Sequence, residues 1–320
     1  MNTILVSGAS GIVGYGILRS LRQSNPDCRL IGTSVHEGSV APAFCDFFEK
    51  APMTNDAGYF TWLVDLIRRY QISLVIPGIE IDVFAWSEHR ATIEQSGAVA
   101  ALNNSELIRL CSDKWLFYQR LIEKNSPYTI PTSLAFNESS WQFPILAKPR
   151  KGSASKGISV IENRESLEMY LRPPRPMMMF QPVVGSVEEE YTVSAFFDKD
   201  SKLCSFFTLK RKLSQAGFTE SAETAELAGV DDALLHLGGI FKPVGPTNFQ
   251  FRIDKGQLKL LEINPRISSA TSIRTAFGYN ESAMAVDLFL LGTSPIQPQI
   301  RSGYAVRYTE DKIFYDSADL

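Results

Sequence analysis

Strands and helices alternate through the first hundred residues, and this rhythm is the feature that most restricts the fold. Residues 4–6 have the pattern of a buried strand, and residues 12–22 have that of an amphipathic helix. Further helices are predicted over residues 57–70 and 82–95, and the strand segments around them are RLIGTS, CDFFEKAP, SLVIPG and AVAAL. This alternation predicts a mostly parallel, doubly wound α/β sheet.

A glycine-rich turn, Gly8-x-x-Gly11-x-x-Gly14, joins the first strand to the first helix. Such a turn is typical of a dinucleotide-binding enzyme, but it is equally compatible with a tight strand-to-helix connection in another kind of protein. A dinucleotide-binding unit also carries an acidic residue where its second strand ends. Here that strand ends in Gly-Thr-Ser at residues 32–34, so the glycine pattern alone leaves both interpretations open.

Length and charge indicate a globular protein that acts on small molecules. The chain has 320 residues, 44% hydrophobic and 21% charged, which is enough for two or three packed lobes. Its net charge of −3 and its lack of a basic run argue against nucleic acid, because neutralising phosphates requires clustered Lys and Arg. We find neither a signal-peptide pattern nor an apolar run approaching the roughly 20 residues of a membrane helix.

The cysteines show neither metal-binding spacing nor a disulfide framework. They form no C-x-x-C pair and have no histidine pair nearby. We therefore expect free thiols in a reducing compartment and a cytoplasmic protein. The four are Cys28, Cys45, Cys111 and Cys204.

The pattern changes after residue 105, where a helical stretch over residues 105–125 leads to prolines and then to strands. We place a domain boundary within residues 105–131. In the later segment FPILAKPRKGSASKGISVI, Lys148 ends a strand and precedes a loop rich in glycine, serine and lysine. Backbone N–H groups, hydroxyls and cations in so small a volume suit triphosphate oxygens, although a solvated β-hairpin is an alternative.

Residues 247–270, TNFQFRIDKGQLKLLEINPRISSA, predict a hairpin of two alternating strands. A three-residue turn would set Gln250 opposite Glu262, with Asn264 on the same face. Three oxygen ligands on one rigid surface suit Mg²⁺, which takes its remaining ligands from phosphates and water. Arg266, just past the strand, could reach the same phosphates. Ordinary outward-facing strand residues are the alternative, but the strand LKLLEI is mostly apolar.

Together these segments resemble the ATP-grasp superfamily, in particular the ATP-grasp domains of the carbamoyl-phosphate synthetase large subunit and related carboxylate-amine ligases. The resemblance rests on QFRIDKGQLKLLEINPR, on ILAKPRKGSASKG and on the pair Asp113-Lys114. It implies a Rossmann-like preATP-grasp domain at residues 1–105, whose glycine turn contributes to the acceptor site and does not hold NAD. A two-lobed ATP-grasp domain would follow at residues 106–320, with a smaller lobe at about 115–183 and a C-terminal lobe at about 184–320.

The resemblance also implies a nucleotide site, residue by residue. Lys114 and Lys148 would contact the ATP phosphates. A mobile glycine-rich loop over those phosphates would include Gly152, Ser153, Ser155, Lys156 and Gly157. A hinge strand would line the adenine with Gln181, Pro182, Val183 and Val184. Glu190 would bind the ribose hydroxyls, with Glu188 and Glu189 as alternatives in the same loop.

The reacting groups are implied in the same way. Gln250, Glu262 and Asn264 would bind Mg²⁺ or Mn²⁺, although the neutral glutamine gives one negative charge fewer than the acid of many relatives. The implied catalytic cations are Lys148, Arg266 and Arg211, the last of which would hold the carboxylate substrate or else lie in a solvated loop. Glu80, in LVIPGIEIDVFAW, would face the substrate or would only complement a helix dipole.

These roles predict an ATP-dependent carboxylate-amine ligase. Transfer of the γ-phosphoryl group would convert a carboxylate into an acylphosphate, which an amine would attack, with release of ADP and phosphate. The expected partners are small-molecule carboxylate and amine substrates, without nucleic acid or membrane, and a homodimer is left open. The alternatives are an ATP-binding protein without ligase activity and an NAD(P)-dependent oxidoreductase or epimerase built on the first domain.

Overall fold

The computed structural model of the chain describes residues 2–25, 27–136, 142–152, 157–172, 177–214 and 217–315. These residues form three β-sheets, of five, three and six strands. The first sheet is parallel throughout, and the other two are antiparallel. This combination confirms the predicted α/β and α+β fold class. Among the described residues, no helix is both long enough and apolar enough to cross a membrane.

The parallel sheet has the strand order β3-β2-β1-β4-β5, which is the arrangement of a doubly wound fold. Its strands are β1 (Thr3–Val6), β2 (Arg29–Ser34), β3 (Phe47–Lys50), β4 (Leu74–Ile76) and β5 (Val99–Ala100). The helices beside it are α1 (Ile12–Ser24), α2 (Tyr59–Tyr70), α3 (Glu80–Glu88) and α4 (Arg90–Gln95). The single helix predicted over residues 82–95 is therefore wrong, because the helix ends at His89 and a second one begins there.

The glycine-rich turn after β1 is explained by close packing. Gly8 has a φ of +58°, which favours glycine. A Cβ atom on Gly14 would overlap the carbonyl oxygen of Gly8 and lie 2.6 Å from its carbonyl carbon. A Cβ atom on Gly78, after β4, would overlap the carbonyl oxygen of Ser7 and lie 2.9 Å from the Cα of Gly14. These contacts require small residues at the turn whether or not a cofactor binds there.

We predict that Gly14→Ala destabilises the protein by about 2–3 kcal/mol, because the new methyl group must displace backbone atoms. Gly239→Ala is the matched control, since Gly239 also lies in a helix, Val230–Phe241, but a Cβ atom there meets no atom within 4 Å. That control should stabilise the protein by about 0.5–1 kcal/mol. Urea unfolding of both variants measures the difference, and equal midpoints would contradict the packing explanation.

Two helices, α5 (Ser105–Cys111) and α6 (Lys114–Glu123), follow the first sheet. The predicted helical stretch over residues 105–125 is confirmed and consists of two helices, because Asp113 caps α6 with a carboxylate that accepts hydrogen bonds from the N–H groups of Trp115 and Leu116. Helix α5 packs on both sides, with Ile108 in the core of the parallel sheet and its helices, here called the first domain, and Leu107 in the core of the six-stranded sheet. The domain boundary proposed near residue 105 stays a prediction.

The three-stranded sheet carries Lys148. Its strands have the order β7-β6-β8, and the elements are β6 (Ile145–Pro149), β7 (Ser159–Ile161), α7 (Arg164–Leu171) and β8 (Met178–Pro182). Strands β6 and β7 are antiparallel neighbours. The two predicted strands around this segment are thus confirmed, with Lys148 inside β6, whereas residues 153–156 of the predicted loop lie outside the described residues.

The six-stranded sheet forms the largest part of the fold, with the order β13-β12-β9-β10-β11-β14. Its strands are β9 (Glu190–Phe197), β10 (Leu203–Leu213), β11 (Thr219–Thr224), β12 (Gly245–Asp254), β13 (Gln257–Asn264) and β14 (Tyr304–Val306). The accompanying helices are α8 (Val230–Phe241), α9 (Thr271–Ala276) and α10 (Glu281–Val286), which continues as a π-helix over Asp287–Leu291. Helix α8 packs its buried face on one side of this sheet.

The hairpin β12–β13 confirms the predicted pairing of Gln250 with Glu262 but corrects the turn. Asp254 pairs with Gln257, so the turn contains only the two residues Lys255 and Gly256, both with positive φ. A two-residue turn alone would shift Gln250 away from Glu262 by one residue. A β-bulge between Gln250 and Phe251 restores that pairing.

Candidate functional site

A cavity of about 390 Å³ lies where the first domain meets the two antiparallel sheets. The first domain contributes the glycine turn after β1 and the segment that joins β4 to α3. Ten of the predicted residues line the cavity: Glu80, Lys114, Lys148, Gly152, Gln181, Arg211, Gln250, Glu262, Asn264 and Arg266. The structure therefore brings together side chains that are up to 186 positions apart in the sequence, from residue 80 to residue 266.

The remaining predicted residues fall into two groups. Gly157, Pro182, Val183, Val184 and Glu190 do not line the cavity. Ser153, Ser155 and Lys156 lie outside the described residues. The nucleotide roles assigned to both groups stay predictions.

Lys114 is placed by a connection between α6 and the end of β6. The Arg150 Nε atom donates to both oxygens of Asp113, over 2.7 and 2.8 Å. The backbone N–H of Lys114 donates to the carbonyl oxygen of Arg150 over 3.0 Å, and its Nζ atom donates to the carbonyl oxygen of Gly152. Hydrogen bonds thus connect the start of α6 to the beginning of the glycine-rich loop. Sequence reasoning missed Arg150, although it follows Lys148 by only two residues.

Lys148 is a buried cation, with a relative exposure of 8%. Burial lowers its pKa to about 8, while the negative charge of Glu262 opposes this shift and the positive charge of Lys114 adds to it. At neutral pH the ammonium group is charged but poorly solvated. A desolvated cation of this kind interacts strongly with an anion that enters the cavity.

The hairpin presents three oxygen-bearing side chains to the same cavity, those of Gln250, Glu262 and Asn264. The Nδ2 atom of Asn264 donates to Oε1 of Glu262 over 3.1 Å, which fixes the orientation of the amide relative to the carboxylate. One carboxylate and two amides give too little charge to hold a divalent cation alone. The set fits Mg²⁺ or Mn²⁺ that takes its other ligands from phosphates and water. Within the described ranges, no group of three or more His, Cys, Asp or Glu residues forms a separate metal site.

Glu80 begins α3 and also lines the cavity, so its position is compatible with both of its predicted roles, which stay predictions. Its Oε2 atom lies 3.8 Å from Nη2 of Arg266, whose Nη1 donates to the carbonyl oxygen of Ile267 over 2.8 Å. Burial raises the pKa of Glu80, and the positive charge of Arg266 counteracts that shift. A carboxylate and a guanidinium are thus placed side by side where the first domain faces the hairpin.

The side chain of Gln181 lies at the wall of the cavity, where its Nε2 atom donates to Oγ1 of Thr132 over 2.6 Å. Glu190 has a different environment, because Arg211 and Arg252 hold both of its oxygens. Sequence reasoning missed Thr132 and Arg252. Alternation along the hairpin could have indicated Arg252, which follows Gln250 by two residues on the same strand.

Comparisons with known proteins agree with this architecture. Residues 175–312 match a family described as ATP-grasp in the biosynthetic pathway with Ter operon. The chain is also similar to the multifunctional protein pyr-3 of Neurospora crassa, with 22% identity over 170 residues. That match covers 48% of this chain and only 9% of the fungal protein.

Solved structures resemble almost the whole chain. N5-carboxyaminoimidazole synthetase from Staphylococcus aureus, which has also been solved with ADP, matches with a TM-score of 0.75 at 15% identity, over 93% of this chain and 80% of that one. The biotin carboxylase domain of the 2-oxoglutarate carboxylase of Hydrogenobacter thermophilus, solved with MgADP, ADP and bicarbonate, matches with a TM-score of 0.74 at 15% identity, over 95% of this chain and 73% of that one. Biotin carboxylase from Campylobacter jejuni matches with a TM-score of 0.71 at 16% identity, over 95% of this chain and 74% of that one. The chain therefore has the ATP-grasp fold, and its residues 175–312 match an ATP-grasp family, which confirms the resemblance found in its sequence.

Proposed function

We propose that this protein is an ATP-dependent ligase that joins a carboxylate to an amine through an acylphosphate and releases ADP and phosphate. The observation that carries the proposal is the convergence of Lys148, Arg266 and the oxygen ligands of the hairpin on one cavity. Cations and metal-binding oxygens together suit the phosphates of a nucleotide. The turn after β1 and the segment that joins β4 to α3 also line this cavity, and the acceptor would bind beside them.

The nucleotide would bind with its phosphates toward Lys114 and Lys148, and with its base toward Gln181 and the hinge that follows β8. Gln250, Glu262 and Asn264 would hold Mg²⁺, which supplies charge neutralisation between the phosphates when it is bound. The tie between Lys114 and Gly152 would keep the glycine-rich loop close to the phosphates. Exclusion of water by that loop would protect an acylphosphate from hydrolysis.

The first step would form a bond between a carboxylate oxygen of the acid and the γ-phosphorus of ATP, and break the bond from that phosphorus to the β,γ-bridging oxygen. The electron pair of the broken bond leaves with ADP. Lys148 and Arg266 would stabilise the negative charge that spreads over the transferred group. In the second step the amine nitrogen would attack the acyl carbon, phosphate would leave with the electron pair of the acyl C–O bond, and the nitrogen would lose a proton.

The acceptor side of the cavity has a mixed character. Ile12, Val13 and Ile79 supply apolar surface from the first domain, while Glu80 and Arg266 place opposite charges close together. We infer that a carboxylate would approach Arg266 and that an amine would approach Glu80. The apolar lining would exclude water from both.

Hydroxylamine trapping tests this proposal through the identity of the nucleotide product. We expect the protein, given Mg-ATP, hydroxylamine and a panel of amino acids and other small carboxylic acids, to form a hydroxamate with at least one acid and to release ADP. An adenylating enzyme would also form a hydroxamate, but it would release AMP and pyrophosphate. Chromatography of the nucleotides separates the two cases.

Thermal melting provides the control for the oxidoreductase alternative. A ligand that binds only the native state increases the free energy of unfolding by RT ln(1 + [L]/Kd), and this raises the melting temperature. We expect Mg-ATP to do so and NADH not to. AMP as the product, or stabilisation by NADH alone, would overturn the proposed function.

A further inference from the structure

Glu190, the first residue of β9, is buried between two arginines on the neighbouring strands. Its Oε1 atom accepts hydrogen bonds from Nε and Nη2 of Arg211 on β10, over 3.2 and 2.9 Å. Its Oε2 atom accepts from Nε and Nη2 of Arg252 on β12, also over 3.2 and 2.9 Å. The side chains of Glu190 and Arg211 are only 7% and 5% exposed.

These four hydrogen bonds saturate the carboxylate. An ionised carboxylate has about four lone-pair sites and no hydrogen to donate. A ribose hydroxyl that donated to Glu190 would have to displace one of the guanidinium bonds, and in a buried site the attraction between two opposite charges is stronger than a hydrogen bond from a neutral hydroxyl to the carboxylate. Glu190 also does not line the cavity, whereas Arg211 does.

Arg211 has donors left on the side away from Glu190. Its bonds to Glu190 use one edge of the guanidinium, formed by Nε and Nη2. In the part of the chain that the structure describes, Nη1 makes no hydrogen bond, so the end of the guanidinium is available as a fork of donors. Such a fork matches the spacing of two oxygens of a carboxylate or a phosphate.

The charges of this cluster are not balanced. One carboxylate between two guanidinium groups leaves a net charge of +1 in a site that is largely shielded from water. Buried charge is costly unless it is paired, so an anion from outside the protein would complete the cluster. Arg211 is the member through which such an anion could bind, because it lines the cavity and Arg252 does not.

Arg252 connects the cluster to the hinge. Its Nη1 atom donates a hydrogen bond to the carbonyl oxygen of Val184 over 3.5 Å. The next residue, Gly185, has a φ of +56° and donates its N–H to Oδ1 of Asp254 over 3.2 Å. A Cβ atom on Gly185 would overlap the carbonyl oxygen of Ile253, so the hinge lies directly against β12. The cluster therefore links the hinge segment to a cation in the cavity.

We propose that Glu190 is a positioning residue that holds Arg211 in the cavity so that its free edge binds an oxyanion, and that Glu190 is not a ribose ligand. The oxyanion is a phosphate group of the nucleotide or the carboxylate of the acid substrate. The choice between these two sources rests on the proposed function, but the role of Glu190 toward Arg211 does not.

Calorimetric titration with inorganic pyrophosphate and with two nucleotides, Mg-ADP and Mg-2′-deoxy-ADP, tests the proposal. The variants are Glu190→Gln, Arg211→Gln and the double variant, and Lys212→Gln is the matched control. Lys212 follows Arg211 on β10, but its ion pair with Glu220 is exposed to solvent. Pyrophosphate serves as an oxyanion probe that contains neither ribose nor base.

We expect Glu190→Gln and Arg211→Gln each to weaken pyrophosphate binding roughly tenfold or more, as for loss of hydrogen bonds to a charged group. The double variant should be no weaker than Arg211→Gln alone, because Glu190 acts through Arg211. Lys212→Gln should bind like the parent protein. Additive losses in the double variant would overturn the positioning role.

Whether Glu190 binds the ribose is tested by the ratio of the dissociation constants of Mg-2′-deoxy-ADP and Mg-ADP. If Glu190 bound the 2′-hydroxyl, the parent protein would prefer Mg-ADP to Mg-2′-deoxy-ADP and Glu190→Gln would lose that preference. We expect the ratio of the two dissociation constants to be the same in both proteins, and a ratio that falls to about one only in the variant would overturn the proposal. Failure of the parent protein to bind either nucleotide would instead contradict the proposed function, and pyrophosphate would still decide the role of Glu190.

The source of the oxyanion follows from the same titrations. Weaker Mg-ADP binding in Arg211→Gln identifies a nucleotide phosphate. Unchanged Mg-ADP binding with a raised KM for the acid in the ADP-release assay identifies the substrate carboxylate.

If Glu190→Gln does not fold, Arg252→Gln replaces it, because it removes two of the four bonds to Glu190 without altering the cavity wall. That variant should also weaken pyrophosphate binding, and parent-like affinity would overturn the proposal.

Discussion

Replacement of Lys148 by methionine is expected to lower the rate of ADP release by at least about 100-fold, the loss typical of a removed electrostatic contact to the transition state. Methionine keeps most of the volume and apolar character of the buried side chain and removes only its charge. Lys148 is almost enclosed, so no water replaces the lost cation easily. The measurement is the rate of ADP formation, alone and in the hydroxylamine assay.

The pH dependence of kcat/KM for ATP tests the role of the Lys148 charge in a second way. Because the pKa of this lysine is lowered to about 8, the charged form predominates below that pH and is lost as the pH rises through it. We therefore expect kcat/KM for ATP to fall above about pH 8 in the parent protein. Lys148→Arg, which stays charged, should have lower activity but no such fall.

Two results would contradict this role. One is a Lys148→Met variant that is as active as the parent protein. The other is a fall in kcat/KM above pH 8 that persists in Lys148→Arg, since that fall would belong to another group. Near-ultraviolet circular dichroism of each variant shows whether the fold is retained.

Replacement of Glu262 or Asn264 by alanine is expected to lower turnover by orders of magnitude while the protein still folds. Both side chains line the cavity and Asn264 donates to Glu262, so each substitution removes a proposed metal ligand and also frees its neighbour. The loss should be larger for Glu262, since it is the one carboxylate of the three proposed ligands. A raised Mg²⁺ concentration should recover part of the activity of Asn264→Ala.

Glu223→Ala is the matched control for the metal ligands, because Glu223 is an exposed strand glutamate outside the cavity. It should retain the activity and the Mg²⁺ dependence of the parent protein. Calorimetric titration of Mg²⁺ in the presence of ADP measures the metal site independently of turnover. Near-parent activity of both Glu262→Ala and Asn264→Ala would mean that the hairpin face is structural only.

The hairpin shows how far sequence reasoning reaches. The alternation of apolar and polar residues predicted two strands and the pairing of Gln250 with Glu262, and both are confirmed. The predicted turn length is wrong, because a β-bulge beside Gln250 compensates for a turn of two residues. Periodicity reports which residues share a face, but a bulge changes the register without changing that pattern.

Local sequence determined the order of strands and helices and placed Lys148, Glu262 and Asn264 at element positions that the fold retains, because periodicity and turn residues act over a few positions. Only the tertiary structure decided the partners of the long charged side chains. Glu190 is held by Arg211 and Arg252, which are 21 and 62 positions away, and Arg266 lies beside Glu80, 186 positions away. The reason is physical: a buried charge must find a partner, and which partner is near depends on how the sheets and domains pack.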